Sequence, residues 1–233
     1  MPSKLLLILC FLMTCSLSFA NNTLNVERNI EEVERFFLQD SESLPYNKVV
    51  SLSMKVIESR ESYSIQTIGK TFILLSNVAS NKGEDDKALQ FARDGMSLQG
   101  LDDSLIFNLL LKVADGYYLQ EKYEKTQNVA TRALFMPKAP ELLEFRLIAL
   151  SYRAVSLALQ NKHNLAKVDL EKIRVLKEAN PQYKDHIRLL EILAIAHYYS
   201  KNYQTSLTMQ NHLLTLRFDL GKLSNIDQTY LYL

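Results

Sequence analysis

One pattern recurs along this chain at a nearly constant interval. "YYLQEKYEKTQNVATRAL", Tyr117 to Leu134, and "HYYSKNYQTSLTMQNHLL", His197 to Leu214, share an aromatic pair, a short polar turn, then small and apolar residues at helical spacing. "NKHNLAKVDLEKI" lies between them, and "KGEDDKALQFARDGM" and "LPYNKVVSLSMKVI" lie upstream. Aligned, Tyr46, Asp85, Tyr123, His163 and Tyr203 share one slot; Val49, Ala88, Thr126, Ala166 and Ser206 share another. Successive members of the second slot are 39, 38, 40 and 40 residues apart. A fixed period of this size describes a supersecondary unit that is stacked on its neighbours, because no single copy buries its apolar face alone.

Each unit reads as a helical hairpin. In the third, Asp103 is placed to cap a helix carrying Ile106, Leu109, Leu110, Val113, Ala114 and Tyr117 at spacings of three and four. The turn "QEK" follows, then a second helix with Ala130, Ala133 and Leu134 on its inner face, ended by Pro137 and Pro140. Pro140 also suits the first turn of the next helix. Gly83, Gly100, Asn180-Pro181 and Gly221 fall near other expected helix ends. No stretch sustains an alternation of period two, and six Gly in 233 residues leave the helices few breaks. The expected fold class is all-α. Small residues recur because helices packed at about 8–10 Å need Ala, Ser or Gly where their backbones come closest.

These residues resemble divergent tetratricopeptide repeats. Ala114, Tyr117, Tyr123, Ala130 and Ala133 match the small and large positions of that family in the best unit. Where the family carries an aromatic in the middle of the second helix, this chain has Ala92, Ala130, Leu170 or Gln210. Its period of 38–40 also exceeds the roughly 34 of the standard repeat. The resemblance spans about Leu24 to Leu233. It implies a right-handed superhelical array of antiparallel hairpins, about five repeats, forming one domain over residues 21–233. Such an exported array also resembles the periplasmic input regions of bacterial diguanylate cyclases, where repeats precede a membrane span and a GGDEF domain. Within the closing "SNIDQTYLYL", Asp227 to Leu233 reads as the opening of a further first helix, so the array is expected to be truncated within a repeat.

The first twenty residues follow different rules. "MPSKLLLILCFLMTCSLSFA" places Lys4 before an apolar run and closes on Ser18-Phe19-Ala20, the build of a secretory signal cleaved after Ala20. The alternatives are an uncleaved anchor, whose run falls short of the roughly 18 residues a spanning helix needs, and lipid attachment at Cys15, before which Thr14 fits poorly. Cleavage removes both cysteines, leaving no thiol or disulfide in the exported chain. It also takes Lys4 from the 27 basic residues, equalising them with the 26 acidic ones. A neutral chain has no bulk footprint for nucleic acid, and contact with a membrane is expected only through a retained signal or a span beyond Leu233.

Motifs for chemistry are absent from the sequence. His163, His186, His197 and His212 form no HExxH pair or other short metal spacing, and His163 takes a turn-packing slot. There is no GxxxxGK loop, GxGxxG or GxSxG elbow. The acidic groups Glu31-Glu32 with Glu34, Glu84-Asp85-Asp86, and Asp102-Asp103 read as solvated residues of helix starts or turns. No enzyme activity, metal or cofactor is expected within this chain.

What remains is the inner face of the array, lined by first helices. The family's groove positions transfer to Lys70 and Asn77 in one repeat, and to Asn108, Lys112, Asp115 and Tyr118 in the next. They continue as Ser151 and Val155, then Arg188, Glu191 and Tyr198. Amides, charges and aromatics in that mixture suit a protein or peptide partner. The expected function is a non-catalytic, exported binding module with a sensory or scaffolding task in bacterial envelope signalling. The alternative is a ligand-sensing input domain of a membrane-anchored diguanylate cyclase whose catalytic domain lies beyond this chain. N-terminal sequencing of the product fractionated from the envelope of its own cells is expected to start at Asn21; a start at Met1 would replace the cleaved signal with an anchor.

Overall fold

A computed structural model describes residues 25–39, 44–137 and 139–219. The leader read at residues 1–20, Gly221, and the segment Asp227 to Leu233 lie outside the described residues. Among those described, the secondary structure is entirely helical, with no strand. α1 covers residues 25–37. It is followed by α2 (Tyr46–Glu58), α3 (Ile65–Asn81), α4 (Asp85–Met96), α5 (Asp103–Leu119), α6 (Tyr123–Leu134), α7 (Leu143–Leu159), α8 (His163–Ala179), α9 (Ile187–Tyr199) and α10 (Tyr203–Asp219). Tyr46, Asp85, Tyr123, His163 and Tyr203, aligned by sequence, are the first residues of the five even-numbered helices. The chain divides into two compact units between Leu101 and Asp102, so α1–α4 and α5–α10 are taken separately. No helix among the described residues is long and apolar enough to cross a membrane.

Four hairpins, α3/α4, α5/α6, α7/α8 and α9/α10, turn in the same way. Each turn has three residues, and the middle one, Gly83, Glu121, Asn161 or Lys201, is left-handed with φ of 71°, 57°, 61° or 65°. In each, the N–H of the next residue reaches back five positions: Glu84 to the Ala79 carbonyl (2.9 Å), Lys122 to Tyr117 (2.9 Å), Lys162 to Leu157 (2.8 Å) and Asn202 to His197 (2.9 Å). The left-handed residue itself bonds three back, to Ser80, Tyr118, Ala158 and Tyr198. This double closure satisfies carbonyls that a helix end leaves open and reverses the chain in a fixed direction. Asp102, not Asp103, caps α5: its extended backbone lets its carboxylate accept the Leu105 N–H at 2.8 Å, while Asp103 is already helical.

The second slot lies four residues past each second helix's cap. Val49, Ala88, Thr126, Ala166 and Ser206 donate their N–H to Pro45, Glu84, Lys122, Lys162 and Asn202. All five are buried. The reason for small side chains is visible at the last, where Ser206 Oγ donates to the Ala194 carbonyl of α9 at 2.8 Å. Only a short side chain fits when helix backbone lies that near. Ala92, Ala130, Leu170 and Gln210, the positions without the family's aromatic, are buried one turn further on.

In the first unit, Val33 and Phe36 of α1 join Val49, Leu52 and Val56 of α2 and Ile68, Leu74 and Val78 of α3 in one core. Glu31, Glu32 and Glu34 fall inside α1 instead of at a helix start; Glu34 instead receives Lys70 from α3 at 2.6 Å. In the second unit α6 lies along α7, and the odd-numbered helices α5, α7 and α9 pack in succession. α7 is the central element, buried on nearly every side. Arg153 of α7 holds Asp169 of α8 with two bonds of 2.7 Å, pairing a carboxylate that is almost wholly buried.

A left-handed backbone costs an ordinary L-residue about 1–2 kcal/mol, partly offset by about 0.4–1 kcal/mol of extra chain entropy when glycine replaces it. Lys201→Gly and Glu121→Gly are therefore expected to stabilise the chain by about 0.5–1 kcal/mol each. Gly83→Ala is expected to destabilise it by a similar amount, because an added Cβ meets nothing within 4 Å and only the backbone cost remains. Urea unfolding midpoints check the signs; a loss of stability at Lys201→Gly would contradict the turn assignment.

Candidate functional site

The odd-numbered helices of the second unit each bring one polar side chain to a common point. Tyr152 of α7 is buried to its hydroxyl, which donates to Asp115 Oδ1 of α5 at 2.5 Å. Arg188 of α9 donates to that same hydroxyl at 2.7 Å and pairs with Asp115 Oδ2 at 2.8 Å. Its guanidinium also stands 5.9 Å from the centre of the Tyr152 ring. Tyr118, one turn beyond Asp115, sets its ring edge-on to Tyr152 with centroids 6.0 Å apart. Three helices are thus joined by a closed triangle of hydrogen bonds.

The charges of this triangle are settled by its burial and its partners. Burial alone would raise the Asp115 carboxyl, but Arg188, Lys112 and the hydroxyl of Tyr152 outweigh it and hold the group below the usual value. Burial, opposed by Arg188, pushes the Tyr152 phenol well up, so it stays protonated as a donor. Asp115 and then Tyr152 raise Arg188, which keeps its charge. Lys112 goes the other way. Burial first, then the Arg188 cation, bring it down to about 8 despite the nearby Asp115. Among the described residues its ammonium has no hydrogen-bond or ion-pair partner. The cluster therefore presents one half-buried, unsatisfied cation next to a satisfied pair.

The other groove positions divide into several environments. Asn108 is half-buried one turn before Lys112 on α5. Glu191, one turn beyond Arg188, is engaged by the buried Arg217 of α10. Tyr198 sits at the far end of α9 against Tyr199 and Tyr203, with centroids 5.3 and 5.5 Å away. Lys70 is committed to Glu34, and Asn77 is half-buried with an Oδ1 that finds no partner, both in the first unit. Ser151 and Val155 need correcting. Both have no exposed surface, and Ser151 turns its hydroxyl back to the Leu147 carbonyl at 2.8 Å, so neither offers anything to a partner.

The residue that sequence reasoning missed is Tyr152, and the miss has a geometric cause. Counting by 40, as the turns do, makes Asp115 equivalent to Val155, and Lys112 equivalent to Tyr152. The contacts instead run from Asp115 to Tyr152 and on to Arg188, separations of 37 and 36. Each step falls back three or four residues, one helical turn. Neighbouring odd-numbered helices meet on a diagonal, so equivalent positions do not face each other. A buried tyrosine hydroxyl requires a partner, and that was the available signal.

A folded lysine value below the unfolded one means the unfolded chain keeps a proton that the folded chain has released. Between pH 8 and about 10.4 stability then rises with pH. Below pH 8 both states are protonated, and the folded chain carries the charge at a cost. Lys112→Met is expected to raise the unfolding free energy from urea titration at pH 7 by about 1 kcal/mol, a figure reduced for partial exposure, with the advantage shrinking between pH 8 and 10.4. An advantage independent of pH would show that the charge of Lys112 carries no burial cost.

No known protein family matches this chain, and no curated protein or solved structure matches it either.

Proposed function

We propose that this chain is a non-catalytic, exported binding module built from divergent tetratricopeptide-like hairpins, and that it recognises a protein or peptide through the α5–α7–α9 face. The observation that carries the reading is Lys112. A half-buried ammonium without a partner is an unfavourable element in a folded protein, and a carboxylate from a binding partner would complete it. Asp115, Tyr152 and Arg188 would provide a rigid wall beside that contact, with little to reorder on association. Tyr118 adds an aromatic surface of the kind enriched where proteins meet. The repetition of hairpin, turn and small-residue contact supports the repeat reading. The signal-like residues 1–20 support export to the periplasm, and cleavage after Ala20 would leave a neutral, cysteine-free chain suited to a sensory or scaffolding task in envelope signalling.

Arg188 and Lys112 differ as probes of this face. Reversing the charge of Arg188 would remove the cation that neutralises Asp115 and place a carboxylate beside it, damaging the fold, so loss of binding there is ambiguous. Lys112→Gln separates the two effects, because it is expected to retain or increase stability. Peptides selected from a random display library against the full chain are expected to carry an acidic side chain or a free C-terminal carboxylate. Their affinity is expected to fall about tenfold or more in Lys112→Gln, equivalent to about 1.4 kcal/mol, and to be unchanged in Lys184→Gln. Equal binding by Lys112→Gln would remove the site.

A further inference from the structure

A second feature of the α5–α10 unit lies away from that face and is independent of the function proposed above. α4 and α6 have 12 residues each, but α8 has 17, and it leads through the turn Pro181–Tyr183 to α9. α6 packs closely along the helix that follows it, whereas α8 has no such close packing on α9. Between α8 on one side and α9 and α10 on the other lies a cleft of 790 Å³. That volume falls within the range of pockets that enclose small organic ligands, about 300–1,000 Å³.

The lining has two characters. Leu170 and Ile173 of α8, Leu193 of α9, Met209 of α10 and Pro181 make it largely apolar. Lys167, Lys177 and Lys184 add positive charge, while the two lining carboxylates, Glu171 and Glu178, are already taken by Arg174 at 2.6 Å each. Lys177 is half-buried and has no hydrogen-bond or ion-pair partner among the described residues. Burial lowers its ammonium, opposed by Asp185. Next to it, burial and then the Lys177 charge lower His197, so its ring is neutral near pH 7 and keeps one N–H. His197 Nδ1 is buried without a partner. An apolar wall, an ammonium without a hydrogen-bond partner and the ring of His197 occur together along one open cleft.

We infer that this cleft binds a small amphiphilic carboxylate, its hydrocarbon part against Leu170, Ile173, Leu193 and Met209 and its head group on Lys177 next to His197. Charge complementarity selects the head: the cleft has a net positive lining with its own acids engaged elsewhere, so a neutral amphiphile would leave Lys177 as it is. The apolar wall selects the tail, since a bare carboxylate would gain nothing from hydrocarbon side chains, of which half-buried Met209 offers the most surface. Both halves of the ligand are needed.

Calorimetric titration of the full chain with decanoate, decanol and acetate tests both halves. Decanoate is expected to bind about tenfold or more tightly than decanol, with acetate showing no binding. Lys177→Gln is expected to bring decanoate down to the level of decanol, and Met209→Trp, which fills the apolar end, to abolish both, with helical circular dichroism retained. Equal affinity for decanoate and decanol, no effect of Lys177→Gln, or no heat with any of the three would overturn the assignment. Should Met209→Trp unfold the chain, the Lys177→Gln comparison decides alone.

Discussion

The hairpins share one buried slot, four residues past the cap of the second helix, and at Ser206 it is a close approach of two helices. Ser206 reaching the Ala194 carbonyl shows how little space remains. The three-residue turn makes this approach possible by returning the chain in a fixed direction, its left-handed residue closing two hydrogen bonds across the helix end. Turn and contact are therefore a single constraint seen from two sides. Glycine would serve best at the left-handed residue, yet Glu121, Asn161 and Lys201 occupy three of the four sites. Packing of the helices holds these residues in a conformation that their own preferences disfavour.

Above that framework, the second unit is tied together by polar contacts that cross it. Asp115, Tyr152 and Arg188 bind α5, α7 and α9 together, and His186 and Glu144 add a second tie between the starts of α7 and α9. His186 accepts the Leu189 N–H with Nδ1, so in its neutral form the other ring nitrogen carries the proton that Glu144 receives. With its best cation engaged in the triangle, the α5–α7–α9 face has Lys112 as the group that remains unmatched. The same arithmetic of engaged and unengaged charges distinguishes Lys177 from the glutamates around it. In both places the informative residue is the one that the fold does not use.

Much of the architecture was legible in the chain itself. The five aligned slot residues prove to be the first residues of the second helices, because the turn and the close contact recur at a nearly constant interval. The buried slot could be located for the same reason. The site was harder to read. Val155 and Ser151 were carried over from the groove positions of the family that the sequence resembles, which need a face open to the groove, and a helix covered by neighbours on both sides has almost none. Tyr152 was overlooked because contacts between odd-numbered helices follow their stagger and not the repeat length. The lowered value of Lys112 depends on burial and on Arg188, 76 positions away in sequence, which no local pattern records. The cleft likewise follows from the length of α8 and the turn after it, features that carry no periodic signal.

The diagonal from Asp115 through Tyr152 to Arg188 also limits how such a chain can grow. Repeat proteins are commonly pictured as interchangeable bricks, each unit seeing only its neighbours. Copying the α7/α8 hairpin in tandem would break that picture here. By the same stagger, the copied tyrosine would face Val155 of the original hairpin instead of a carboxylate, and its buried hydroxyl would lack an acceptor. Arg188 would then be separated from Asp115 by an additional helix. The three hairpins of this unit have become a fixed sentence, whose words can be edited singly but not repeated or exchanged.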